Sequence, residues 1–159
     1  MDVGRETPRA RIEAACAQHG RASVVACCVD LLAGRDGDPE LLLALGGRPA
    51  RWVVTGEPPG PDYWLRVWAL RGLLWAWDDD ALGSVLTALG DETWRVREMA
   101  LKVVARHRLH DAWDDVVALE LDPVVRVRVA AARASRRLVG GDGVLLGGVG
   151  CPLVSEFDV

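Results

Sequence analysis

The sequence is short of most residues that build a reactive centre. It has one lysine (Lys102), one tyrosine, one phenylalanine, two methionines, three histidines and four cysteines in 159 residues. Cys16, Cys27, Cys28 and Cys151 include no C-x-x-C spacing, so neither a zinc site nor a disulfide framework is indicated. The first three read as buried helix thiols and Cys151 as a tail residue. Of the histidines His19, His107 and His110, none adjoins a glutamate. His107-x-x-His110-Asp111 straddles an expected helix end and has no third ligand, so it reads as a surface turn rather than a metal site. A G-x-S-x-G motif, a phosphate-binding loop and a dinucleotide fingerprint are all missing. Gly140-Gly141-Asp142-Gly143 follows the last expected helix and reads as linker. No catalytic residue, metal or cofactor is therefore expected. Charges interrupt every helical stretch, which excludes a bilayer span. Residues 1–20 carry Asp2, Arg5, Glu6, Arg9, Arg11 and Glu13 in place of a secretory apolar run, so a cytoplasmic location is expected. There is no basic excess either: 19 Lys and Arg stand against 23 Asp and Glu, a net charge of −4, which argues against a dedicated nucleic-acid binder.

What the chain does have is apolar material and a repeat. Half its residues are hydrophobic, enough for a core and too many for global disorder. Leu65-Arg66, Val96-Arg97 and Val127-Arg128 recur every 31 residues, as do Ala69, Ala100 and Ala131. Asp80-Ala81 returns as Asp111-Ala112, Val85 as Val116, and Asp91 as Asp122. A gapless period of this length marks stacked helix pairs, each too small to bury its own apolar face.

Start and stop residues place the helices. Thr7-Pro8 opens one that Gly20 ends, and Ala22 to Leu32 forms a second. Asp38-Pro39-Glu40 opens a short third, and Arg48 to Thr55 a fourth that holds Trp52. Residues 56–61 (GEPPGP) break the chain. Asp62 to Trp77 is expected as the first helix of the regular part, with Asp78-Asp79-Asp80, Asp91, Asp111 and Asp122 capping those that follow. Each such carboxylate is worth ~1 kcal/mol against unpaired amides at a positive dipole end. The last helix runs from Pro123 to about Leu138. Because it has no later partner, one of its faces is expected to stay open, and residues 140–159, with six glycines, form a tail or cap.

The pattern D-x-x-x-x-V-R-x-x-A-x-x-x-[VL], carried by Asp91, Val96-Arg97, Ala100 and Val104 and again by Asp122, Val127-Arg128 and Ala131, resembles HEAT repeats. The second copy departs from it at Ser135. The resemblance covers residues 62–138, and the whole chain is similar to small bacterial HEAT-repeat proteins without an assigned activity. It implies an all-α, short right-handed α-solenoid in which residues 1–61 are a cap or divergent repeats, 62–139 the repeats and 140–159 the Gly-rich tail. It also implies that Arg66, Arg97 and Arg128 form a ladder with cap aspartates Asp91 and Asp122. HEAT-like enzymes that hydroxylate modified lysine use His-Glu pairs, which this chain lacks.

Comparing equivalent positions then separates core from surface. Trp64 aligns with Arg95 and Arg126, Arg71 with Lys102 and Arg133, and Trp75 with Arg106 and Arg137; these positions form one helix stripe. A stripe that is basic later and aromatic earlier is either covered by the amino-terminal segment or an exposed patch for a partner. Trp68 and Trp113 align with core positions, and Trp77 with Arg108 at the surface. Residues 109–122 hold Asp111, Asp114, Asp115, Glu120 and Asp122 and no lysine or arginine, whereas 123–138 hold five arginines and no acid. In HEAT-like stacks the second helices line the concave side, which makes that side acidic and the convex side basic. The expectation is a scaffold that takes a protein or basic peptide through Trp64, Trp75, Trp77, Asp79, Asp114, Asp115 and Glu120. Self-association through the open carboxy-terminal end is a further possibility. The alternative is a nucleic-acid-binding relative of HEAT-like DNA-alkylation-repair glycosylases, disfavoured by phosphate repulsion from the acidic layer.

Overall fold

A computed structural model describes residues 6–56 and 60–140. Among them the chain is all-helical, with nine α-helices and three 3-10 turns. The helices are α1 Pro8–His19, α2 Arg21–Leu32, α3 Pro39–Gly46, α4 Trp52–Thr55, α5 Tyr63–Leu73, α6 Leu82–Leu89, α7 Trp94–His107, α8 Trp113–Leu119 and α9 Val125–Val139. The glycine-rich stretch from residue 141 onward lies outside the described residues. None of the described helices is long and apolar enough to cross a membrane.

Local signals explain most of the boundaries. The Thr7 hydroxyl accepts from the Ala10 amide, and the Asp38 carboxylate from the amides of Glu40 and Leu41. Gly20, at φ +86°, turns α1 directly into α2, a conformation that side chains disfavour. The helix expected over 62–77 stops at Leu73, and the 3-10 turn Asp79–Ala81 leads into α6. Asp91 and Asp122 do not occupy the expected cap positions: they lie two residues before the N-caps Thr93 and Val124, whose amides donate to their carboxylates and so fix the entry to α7 and α9. Asp111 caps no helix either: it lies within the 3-10 turn His110–Ala112, where its side chain makes no capping bond. Pro123 also precedes α9 rather than starting it.

The helices form two rows. In one, α3, α5, α7 and α9 touch in succession; in the other, α2 neighbours α6 and α6 neighbours α8. Across the rows α2 packs on α5, α6 on α7 and α8 on α9. In the regular part α6 and α8 each pair with the helix that follows, whereas α2 packs on α5, with α3 and α4 between them in sequence. The pair partner of α9 is thus α8, which precedes it, while Val125 and Val129 of α9 remain exposed. Close packing at the amino-terminal junction needs small residues: a Cβ on Gly72 of α5 would stand 2.7 Å from Cys28 Sγ on α2.

Repeat-equivalent residues share surroundings. Ala69, Ala100 and Ala131 are all fully buried, as are Ala81 and Ala112, Val85 and Val116, and Val96 and Val127. Some positions differ: Leu65 is half-buried where Val96 and Val127 are fully buried, Met99 is half-buried where Trp68 and Ala130 are buried, and further departures lie at the end of the rows. Leu82 and Leu86 of α6 are partly covered, yet their counterparts Trp113 and Val117 are 40% and 45% exposed. Trp113 is thus not a core residue, because among the described residues no further pair lies over it. Among those residues the exposed large apolar side chains (Trp113, Val117, Leu121, Val125, Val129 and Val139) all fall in this last pair or its connection.

An ion ladder ties successive repeats together. Arg97 forks onto Asp122, with Nε donating to Oδ2 at 2.8 Å and Nη2 to Oδ1 at 3.1 Å. One repeat earlier, Arg66 Nε stands 2.8 Å from Asp91 Oδ2, but its N–H is aimed aside; only Nη2 donates, to Oδ1 at 3.4 Å. Arg97 also spans the Asp91 and Glu92 carbonyls, and Arg128 those of Asp122 and Pro123. The position one repeat after Asp122 is Leu153, so the 31-residue Arg–Asp pattern does not continue past Arg128. Burial opposes ionisation of Asp122, yet hydrogen bonds from Arg97 and the Val124 amide, with the charges of Arg97 and Arg128, hold its carboxyl below the ordinary range. A depressed folded value makes this contribution complete above the unfolded value of ~4 and progressively lost as pH falls through the folded one. Arg97→Met is expected to cost about 3 kcal/mol in urea unfolding, since it strands a buried carboxylate. Asp122→Asn removes this residue's share of the acid-limb slope; an unchanged slope counts against the ladder.

Candidate functional site

The aromatic stripe is neither open nor sealed. Trp75, in the turn just after α5, has two guanidinium groups near its ring, Arg106 at 4.1 Å and Arg9 at 5.2 Å from the centroid. Trp64 packs beside Tyr63, with centroids 5.3 Å apart, and Arg95 lies 5.8 Å from each ring. Arg95 and Arg126 also approach Trp94, at 4.4 and 5.7 Å. Arginines of the next repeat therefore roof the tryptophans of the one before. Both rings are partly buried against the core, with arginines that equivalence alone marks as solvated beside them. On its other side Trp64 borders a cavity of about 480 Å³ with Trp52, Trp68 and Arg71.

Trp77 is tied inward. Its Nε1 donates to Asp79 Oδ1 at 3.2 Å, and its ring stacks on His107 at 4.6 Å and 19°. His107 is accordingly not a surface-turn residue. Its Nε2 lies 2.7 Å from the Leu73 carbonyl, which can only accept, so that nitrogen carries the hydrogen. Burial lowers the His107 pKa, the Leu73 bond opposes this, and the nearby Arg106 charge adds to the lowering. His110 is exposed one turn away. Of the thiols, Cys27 and Cys28 are buried, while Cys16 is only half-buried. Among the described residues no group of three His, Cys, Asp or Glu side chains could hold a metal ion.

The acidic residues expected to act together lie apart. Asp79 is engaged by Trp77, and Glu120 accepts a hydrogen bond from the Ser135 hydroxyl on α9. Asp114 and Asp115 stand exposed on α8 and form no ion pair among the described residues. The seven residues singled out for binding thus occupy at least three places.

The better-shaped surface is basic. Between α7 and α9 runs a groove of about 610 Å³. Lys102, Arg126, Arg133, Arg136 and Arg137 edge it, and Leu101, Ala105, Val125, Val129 and Ala130 supply apolar surface. Glu98 is its one acid and pairs with Lys102 at 3.1 Å. The signal was present in the sequence, because Lys102 shares its stripe position with Arg133, and Arg126 and Arg137 lie on the same stripe. What periodicity could not give is that adjacent stripes enclose a concavity.

Comparisons with protein-family models, with curated proteins and with solved structures return no match for this chain. Two outcomes follow from the local contacts. Trp75→Ala is expected to lower stability by about 2 kcal/mol, less than a fully buried tryptophan and more than a free surface ring; urea unfolding at neutral pH would reveal a merely exposed patch by no change. His107, favoured neutral when folded, contributes stability that is complete above its unfolded value of ~6.5 and declines as pH falls through the folded value. His107→Phe should flatten that part of the stability-pH curve.

Proposed function

We propose that the chain is a non-enzymatic protein-interaction module: a short α-solenoid of HEAT-like pairs with a basic first-helix face and an acidic second-helix face. In that arrangement Asp114 and Asp115 belong to the concave side and the α7 and α9 arginines to the convex side. The observation that carries the reading is the α7–α9 groove, where cationic walls flank an apolar floor. Such a groove suits an amphipathic acidic segment of another protein, with its apolar side chains on Ala105 and Val129 and its carboxylates against Arg133 and Arg137. The exposed acids of α8 offer the opposite polarity to a basic segment.

A second reading, nucleic-acid binding, draws on the same basic cluster. Apolar floor residues and Glu98 inside the groove favour protein over phosphate.

The test compares fluorescently labelled probes by anisotropy: an amphipathic Leu/Glu peptide of ~20 residues, its Leu/Lys counterpart, and a short DNA duplex. The acidic peptide is expected to bind the basic groove, weaken roughly tenfold between ~50 and ~300 mM salt, and be lost in Lys102→Glu/Arg137→Glu. Asp114→Lys/Asp115→Lys should spare it while abolishing the basic peptide. Tighter duplex binding through the same arginines would transfer the assignment to nucleic acid. Failure of all three probes would overturn both readings.

A further inference from the structure

The open end of the two rows is a face made of α8, the 120–124 connection and α9. Its centre is apolar: Trp113, Val117 and Leu121 line one side, Val125 and Val129 the other. These positions are a register consequence rather than scatter, since one repeat earlier α8 and α9 lie over the equivalent stripe. Leu121 is 86% exposed and Val125 60%, values a lone soluble surface rarely gathers in one patch.

The charges around the centre are divided. Asp114 precedes Val117 by three residues, so it shares the Val117 side of α8, and Leu121 follows in the turn after that helix. Arg133 and Arg136 follow Val129 by four and seven, so they share its side of α9. One edge of the face is acidic and the opposite edge basic.

We propose that this face pairs with the same face of a second copy, about a two-fold axis parallel to the helices. That axis lays each α8 on the other copy's α9. Acid then meets base at both edges while the apolar stripes cover each other, the self-complementarity an isologous interface requires. The other in-plane two-fold would set α8 on α8 and oppose like charges. The face is only two helices wide, so the dimer should dissociate on dilution rather than be obligate.

Sedimentation velocity on the full chain, from ~5 to ~500 μM, reads this directly. A monomer at the dilute end and a dimer at the concentrated end are expected. Leu121→Asp, at a surface site that leaves the helical circular dichroism intact, should weaken the dimer at least ~10-fold; Val125→Asp is the second variant. Asp114→Arg alone and Arg136→Asp alone should each weaken it several-fold, and the two together should restore it. A monomer throughout overturns the proposal, and is the outcome if another protein or this chain's own Val144, Leu145 and Leu146 cover the face. A dimer indifferent to Leu121→Asp, or a double charge reversal that restores nothing, overturns it equally.

Discussion

Each helix pair in this protein buries the apolar stripe of the pair before it, and the rest of the structure follows from that dependence. A pair such as α6–α7 cannot bury its own apolar side chains. Val85, Val96, Leu101 and Val104 become fully buried only because neighbours stand on both sides. The same dependence explains why, among the described residues, the exposed large apolar side chains gather in the final pair and its connection. It also explains where charge is placed. Arg66 and Arg97 reach 25 residues along the chain to Asp91 and Asp122, fixing the register at which one pair meets the next.

How far the fold was legible depends on what periodicity can see. Ala69, Ala100 and Ala131 were readable as one buried position, and the Arg–Asp ladder as one repeated contact, because each depends on a residue's own place in its repeat. The direction of pairing was not readable, because α8 has one neighbour before it and one after it in sequence. Trp113 was misplaced for a related reason: equivalence with Leu82 assumes a following pair. Asp111, like its counterpart Asp80, sits inside a 3-10 turn and its side chain caps nothing, because the turn shifts the local hydrogen bonding.

The candidate surface shows the complementary limit. Arg95, Arg106, Lys102, Arg126, Arg133 and Arg137 could be marked as a basic stripe from spacing. Their tasks differ, however: Arg95 and Arg106 roof Trp64 and Trp75, while Lys102, Arg133 and Arg137 border the groove. A guanidinium serves either purpose, and only the neighbour opposite decides which. Likewise Asp79 and Glu120 are drawn into hydrogen bonds with Trp77 and Ser135, leaving Asp114 and Asp115 as the exposed part of the acidic layer.

Stacking makes a claim about local stability as well as geometry. In its row α7 is covered by α5 on one side and α9 on the other, whereas among the described residues α9 has α7 on one side and no row neighbour on the other. Native-state hydrogen exchange on the dilute monomer measures that difference directly. Amides of Val103 and Val104 in α7 should be the more strongly protected, with Ala131 and Ala134 in α9 opening at lower free energy. Equal protection in the two helices, or greater protection in α9, would contradict the dependence of each pair on its neighbours.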